Sequence, residues 1–448
     1  MSLNHDQIIP AFKVEKIVYK GLGLGFFENS PVFVYQGLPG DDVKIRIVHK
    51  RGDVYFGTII SYNSRSPFQI PVSCEVFNEC GGCEWLHVKY EDQLQFKQHI
   101  VEEFFTSPGH ANNQIDKIEL SPKVNFYRNK IFLPVSDSED GLIAGIYARR
   151  SHKIVPHRRC LLQPEGSDHI VRLILQLLKK AKVSAYDEKR DQGTMKYIGL
   201  RYSEALNRYL VIFVTNTRKF PFFNTIVKSL TEEYPEISGV IQNINECSTN
   251  RILGTETKSG YGSEYLEERI GEVSYQTHYT SFFQVNSGQT KKILDFIKEQ
   301  LTSDDTVIDA FSGIGTIGIY MADGVKEVIF LEEHHQSVKD CEENAQINNL
   351  ANCRYFRGKV EDTIGRVMTK TNASTIIFDP PRKGIDKAVI NNVIESKLSQ
   401  VIYVSCDIAT QKRDLELLQK GGFRIIKIRP FDMFPHTYHI ENVAVLSR

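Results

Sequence analysis

The stretch Val307-Ile308-Asp309-Ala310-Phe311-Ser312-Gly313-Ile314-Gly315-Thr316-Ile317-Gly318 reads as a strand, a glycine turn and the opening of a helix. The glycines of Gly313-x-Gly315-x-x-Gly318 permit a tight turn and a close approach of backbone to a ligand. Glu332 closes the next apolar run, where an acid can accept hydrogen bonds from ribose hydroxyls. NAD fits this fingerprint. Asp309 ends the first strand, however, and sets a carboxylate beside the loop. That charge repels a pyrophosphate and tolerates a cationic sulfonium, so S-adenosylmethionine is preferred.

Downstream, apolar runs at 306–309, 328–331, 375–378 and 401–404 alternate with amphipathic stretches. This is the rhythm of a Rossmann-like, doubly wound parallel sheet, and it is assigned to residues 276–448. Ligands of such sheets sit at the carboxyl ends of the strands. Two chemistry-bearing segments fall there. Phe378-Asp379-Pro380-Pro381-Arg382-Lys383 leaves one strand by a stiff turn, with Arg382 and Lys383 expected to face RNA phosphate. Val404-Ser405-Cys406-Asp407 leaves another. A thiol at that edge can be a nucleophile or a buried structural cysteine. Glu441 reads as a strand-end acid or as a general base. Asp407 beside Cys406 is expected to raise the thiol pKa by like charge.

Residues 1–62 read as all-β. Short alternating runs are broken by Gly21, Gly23 and Gly25 and by the turn Leu38-Pro39-Gly40-Asp41, which suggests a five-stranded, oligonucleotide-binding-type barrel. Residues 63–275 mix helices, at 91–105 and 169–181, with a hairpin in IGLRYSEALNRYLVIFVTN. The segment contains Cys74, Cys80 and Cys83 as Cys-x5-Cys-Gly-Gly-Cys, and Cys160 is the nearest remaining cysteine. Four thiolates suit a structural zinc or an iron–sulfur cluster. Zinc sites usually pair cysteines at similar spacings, unlike this pattern.

The chain has 448 residues, a length that predicts about three domains. Its formal net charge of +0 leaves nucleic-acid binding to local patches. One patch is Lys44, Arg46, His49, Lys50 and Arg51; the other runs from Arg149 to Arg159. Phe56, Phe68 and Trp85 are candidate base-stacking residues. No leader-like or membrane-spanning apolar run is visible, and the eight cysteines do not form a small disulfide scaffold. A cytoplasmic monomer without membrane contact is expected.

The glycine loop, Phe282-Phe283-Gln284-Val285-Asn286, the Asp-Pro-Pro-Arg turn, Val-Ser-Cys-Asp and His439-Ile440-Glu441-Asn442 follow one another as in the RNA uracil-5-methyltransferase family, which the whole chain resembles. Residues 1–62 resemble the TRAM domain, a small RNA-binding barrel. The cysteine pattern and the barrel point to the 23S rRNA members. The resemblance implies Cys406 as nucleophile and Glu441 as proton acceptor. It implies Gln284, Phe311, Glu332 and Asp379 as S-adenosylmethionine contacts, and Cys74, Cys80, Cys83 and Cys160 as ligands of a [4Fe-4S] cluster. It further implies an α/β fold of three parts: the barrel, a central α+β iron–sulfur domain and the methyltransferase domain. Ser312 stands where Cys is common, Asp407-Ile408 where Asn-Pro is usual, and Asn442 where Thr is usual. The expected activity is formation of 5-methyluridine in 23S rRNA through a covalent adduct. The alternatives are a tRNA (uracil-5-)-methyltransferase, an NAD-dependent oxidoreductase and a noncatalytic RNA-binding iron–sulfur protein.

Overall fold

The computed structural model describes residues 3–106, 114–139, 141–247 and 251–448. The C-terminal sheet has seven strands: β1 (Thr306–Ala310), β2 (Glu327–Glu332), β3 (Cys353–Arg357), β4 (Thr375–Phe378), β5 (Gln400–Ser405), β6 (Arg424–Phe431) and β7 (Glu441–Ser447). Their spatial order is β3-β2-β1-β4-β5-β7-β6. The pairings from β3 through β5 are parallel. β7 inserts antiparallel between β5 and β6. The strand order reverses between β1 and β4, so a crevice opens beyond their carboxyl ends.

Every residue of β1 is buried. Ile308 and Ala310 face one core, shared with helices α4 (Val360–Lys370), α5 (Lys387–Glu395) and α6 (Ile408–Lys420). Val307 faces the other core, with α1 (Ser287–Lys298), α2 (Thr316–Met321) and α3 (His335–Ile347). Covering both faces explains why these strands are continuous apolar runs rather than alternating ones.

The N-terminal strands number six, one more than the turns predict, in the order 8–13, 42–51, 54–64, 30–35, 22–27, 16–18. The first and last strands of this order are consecutive in sequence. Val14 donates to Asp41 and Glu15 to Leu24 across the join, so the sheet curls back on itself around Ile9, Phe12, Val32, Val34 and Ile45. The central sheet has seven strands, ordered 256–262, 237–244, 208–215, 195–203, 130–138, 141–147, 154–156. The expected hairpin is its antiparallel pair Met195–Ser203 and Arg208–Thr215. Helices Ser167–Lys180 and Phe223–Glu233 bury their apolar faces in its core. No helix of the described residues is long and apolar enough to cross a membrane.

Helix Tyr90–Phe105 contributes Ile100, Val101 and Phe105 to the core beneath the C-terminal sheet. The chain after it lies along edge strand β6. There Asp116 and Glu119 donate backbone N–H groups to Ile428 and Pro430, covering an edge that would otherwise be open. The helix also reaches the β6–β7 connection through Lys97, whose ammonium lies 2.5 Å from Asp432 with both side chains fully buried. Lys97 donates to the Phe434 carbonyl as well, at 3.1 Å. Removing one partner of a buried pair leaves the other charge uncompensated. Lys97→Met should therefore lower the unfolding free energy by about 3–5 kcal/mol in urea denaturation. A change within about 0.5 kcal/mol, as for an ordinary surface substitution, would show that the pair holds nothing together.

Candidate active site

The β5–β7 register builds the centre of the site. Ser405 pairs with Asn442 in the antiparallel ladder, so Cys406, one residue past β5, lies opposite Glu441, the first residue of β7. Asp379 follows β4, the neighbouring strand on the other side of β5. Three strand ends thus bring a thiol and two carboxyls together. Burial pushes the Cys406 thiol up to about 11, with Glu441 and Asp379 adding to the rise. The nearby Arg382 guanidinium opposes it. Glu441 is 3% exposed. Burial and the nearby Asp379 hold its carboxyl well above the usual range, again against Arg382. Asp379 is also raised by burial, while Gln284 Nε2, donating at 3.4 Å, counteracts the rise. Gln284 is fixed in turn through its carbonyl, which accepts from Asn129 Nδ2 at 2.9 Å.

The glycine loop stands over the neighbouring crevice. Phe311 adopts φ 63°, Gly313 55° and Gly315 82°. At Gly315 the turn leaves no room for a side chain, since a Cβ would lie 2.5 Å from Cys341 Sγ. Glu332 is buried at the end of β2 and accepts from the Gly313 N–H at 2.9 Å and the His334 N–H at 2.8 Å. The Phe311 ring lies 6.4 Å from that of Phe378. Gln284, Phe311, Glu332 and Asp379 therefore surround the crevice at the β1–β4 switch point. Asp309 does not project a charge into it. Asp309 is buried, accepts from the Gly318 N–H at 2.8 Å, and is pushed up to about 7 chiefly by burial. The carboxyls at the strand ends by the crevice are Glu332 and Asp379.

A cavity of about 200 Å³ opens on Cys406. Tyr438, His439 and Ile440 line it from the β6–β7 connection, and Asp407 and Ile408 from α6. Its remaining wall is Arg382 together with Tyr19 and Lys20, from the turn that follows strand 16–18 of the curled N-terminal sheet. Sequence reading missed Tyr19 and Lys20, and a contact spanning 388 positions leaves no local signal. Arg382 and Lys383 are both exposed; Arg382 lines the cavity beside Cys406 and Lys383 pairs with Glu361 at 3.8 Å. Two expectations are corrected here. Asp407 turns away from the thiol. It caps α6 by accepting from Ala409 N at 3.1 Å and Thr410 N at 3.0 Å, and it accepts from Tyr19 Oη at 2.8 Å. Trp85 is fully buried and offers no stacking face, whereas Phe68 is half-buried and packs edge-on to Phe96. Phe56 instead joins Phe33, Tyr35 and His49 in an aromatic group on the barrel.

Cys74, Cys80, Cys83 and Cys160 line a second cavity together with Val76, Phe77, Leu86, Ile146 and Leu162. Burial raises the Cys80 and Cys83 thiols and brings Cys160 to about 11. The four cysteines share one cavity, but among the described residues no three His, Cys, Asp or Glu side chains converge closely enough to hold a single metal ion. Of the two basic patches, Arg149 is spent inside the fold, donating to the Asn78 and Cys83 carbonyls, and Arg150 stacks on Tyr35 of the barrel.

Residues 89–448 match the family model described as tRNA (Uracil-5-)-methyltransferase. The chain is 35% identical over 438 residues to an uncharacterized RNA methyltransferase of Bacillus cereus, covering 97% of this chain and 95% of that protein. An uncharacterized RNA methyltransferase of Clostridium acetobutylicum is 32% identical, over 96% of this chain and 94% of its own. Among solved structures, Pyrococcus abyssi tRNA (uracil-54, C5)-methyltransferase in complex with S-adenosyl-L-homocysteine superposes with a TM-score of 0.79. It is 25% identical, over 97% of this chain and 100% of that one.

The thiol environment is open to direct test. Iodoacetamide labelling of Cys406, followed by peptide mapping, should be slow near neutral pH and climb toward pH about 11. Arg382→Ala removes the one group that lowers the thiol pKa, so labelling of Cys406 should slow at every pH below that value. Faster labelling in the variant would show that the guanidinium shields the sulfur rather than stabilising its thiolate.

Proposed function

The chain belongs to the RNA uracil-5-methyltransferase family, and from that premise we propose that it forms 5-methyluridine in 23S rRNA through a covalent Cys406 adduct. The reading rests on one juxtaposition: Cys406 and Glu441 at opposed strand ends, with Arg382 near the thiol. Carbon 5 of uracil is a poor nucleophile. The Cys406 thiolate, stabilised by Arg382, adds to carbon 6 and makes carbon 5 enolate-like. Carbon 5 then attacks the electrophilic methyl group of S-adenosylmethionine and forms the new C–C bond as the methyl–sulfur bond breaks. Glu441 takes the carbon-5 proton, the 5,6 double bond re-forms, and the Cys406–carbon 6 bond breaks.

The raised carboxyls suit this sequence. Asp379 and Glu441 lie close in a low-dielectric site, so the pair resists full ionisation until a cation arrives beside it. A bound sulfonium is such a cation. Once ionised, a carboxylate with a raised pKa is the stronger base. Gln284, Phe311, Glu332 and Asp379 are the proposed contacts to the methyl donor. Each Glu332 oxygen already accepts one backbone N–H and keeps capacity for ribose hydroxyls.

Cys74, Cys80, Cys83 and Cys160 would hold a [4Fe-4S] cluster. Four thiols lining one mainly apolar cavity without converging on a point suit separate irons better than one zinc ion. The cluster would tie the 74–83 loop to the 157–160 segment. Residues 1–62 would act as a TRAM-type barrel, and the protein as a cytoplasmic monomer on RNA. A tRNA target is the second reading, favoured by the likeness to the Pyrococcus abyssi tRNA (uracil-54, C5)-methyltransferase.

Covalent chemistry tests the proposal. RNA containing 5-fluorouracil has no removable proton at carbon 5, so the wild-type protein should remain attached to it through Cys406 in denaturing electrophoresis. Glu441→Gln should trap on ordinary uridine, and Cys406→Ala should neither trap nor transfer methyl. Methyl transfer by Cys406→Ala would refute the mechanism. Mapping 5-methyluridine in 23S rRNA and tRNA from cells lacking the protein separates the two targets.

The cluster is tested separately. Anaerobically prepared protein should absorb broadly in the visible and contain iron and sulfide, and Cys80→Ser should abolish both. Stoichiometric zinc without iron would overturn the assignment.

A further inference from the structure

We infer that Lys20, carried into the Cys406 pocket by the N-terminal barrel, binds the backbone phosphate of the nucleotide whose base enters that pocket. The inference rests on the reading of this pocket as a uracil site and adds to it the group that positions the nucleotide. Two cations, Arg382 and Lys20, line the cavity, and both are exposed. Arg382 is near enough to the Cys406 thiol to lower its pKa. Lys20, among the described residues, forms no ion pair; its ammonium lies 5.7 Å from the ring centroid of Tyr19. An extruded nucleotide has two parts. Its base must reach Cys406, and its phosphate must stay outside with the rest of the strand. Arg382 is the cation beside the thiol that the base must meet, which leaves Lys20 for the phosphate.

The backbone has been bent to place Lys20 there. Lys20 adopts φ 68°, a left-handed conformation that costs a residue with a side chain, and Gly21 follows at 68°. The turn is pressed onto the pocket wall, since a Cβ at Gly21 would lie 2.5 Å from Tyr438 Cβ and 3.2 Å from Trp85. Tyr19 is pinned by its hydrogen bond to Asp407, which also caps α6. Neighbours on both sides of Lys20 are thus fixed to the methyltransferase domain, while its own ammonium is left facing the opening. A strained, clamped turn that ends in an unpaired cation is built to meet an anion.

The test measures binding, so it does not depend on methyl transfer. The probe is a short single-stranded RNA with one central uridine, with and without a neutral methylphosphonate beside that uridine. Fluorescence anisotropy of the full-length protein gives affinity across a salt series. Lys20→Ala should weaken binding about tenfold and reduce the salt slope by about 0.7, the value for one phosphate contact on a single strand. Lys20→Arg should restore both. The methylphosphonate should weaken wild-type binding by a similar factor and leave Lys20→Ala unaffected. Equal losses in both proteins on phosphate neutralisation would overturn the inference, as would an unchanged salt slope in Lys20→Ala. Absence of any 5-fluorouracil trap, with this binding pattern intact, would instead reject the reaction and keep the phosphate site.

Discussion

Everything around the candidate site follows from gathering two buried carboxyls and a thiol at adjoining strand ends with one guanidinium nearby. Burial makes Asp379, Glu441 and Cys406 each harder to ionise; Asp379 adds to the rise at Glu441, and Glu441 and Asp379 add to it at Cys406. Such a cluster costs stability, and folds keep it only where surrounding elements over-determine the geometry. Here the strand ends do so. β4, β5 and β7 are neighbours in a sheet buried on both faces, and a one-residue slip of the β5–β7 register would exchange the side chains packed in its two cores. The spacing of Cys406 and Glu441 is therefore set by the sheet.

The β6–β7 connection, which completes the pocket, has no such sheet to hold it. It is fastened from outside. The Glu84 and Trp85 N–H groups donate to the His436 carbonyl, Gln93 Oε1 accepts from the His436 N–H, and Tyr127 Oη donates to Pro435. Lys97 binds Asp432 at its start. The segment bearing Cys80 and Cys83 thus runs directly into the residues that anchor the pocket wall. Cys83 and Trp85 are two positions apart, and His436 and Tyr438 are likewise. Ordering the cysteine loop and ordering the wall are one structural task.

The parts legible in sequence were those whose signal is local. The glycine loop required its turn, the buried strands read as apolar runs, and helices 90–105 and 167–180 lie within two residues of expectation. Cys406, Asp379 and Glu441 could be placed at strand ends because the parallel rhythm says where such ends lie. Two things escaped. Asp309 was assigned a free charge because burial and the Gly318 N–H are invisible in a string. Tyr19 and its neighbour Lys20 were passed over because Asp407, the partner of Tyr19, lies at a helix start far along the chain. Each omission is a tertiary contact overriding a residue's ordinary preference.

Asp407 shows how a departure from the family pattern can be compensated locally. Proline at the first helical position would preset the backbone of α6, and Ile408 gives up that advantage. In return its side chain is 1% exposed within the core beneath the sheet, where apolar burial stabilises the same helix start. The carboxylate of Asp407 then caps two N–H groups at the positive end of the helix, a placement that favours an anion. Its second oxygen is left for the Tyr19 hydroxyl, a charge-assisted bond stronger than a neutral amide would make. One residue so links the helix that follows Cys406 to the N-terminal turn that walls its pocket.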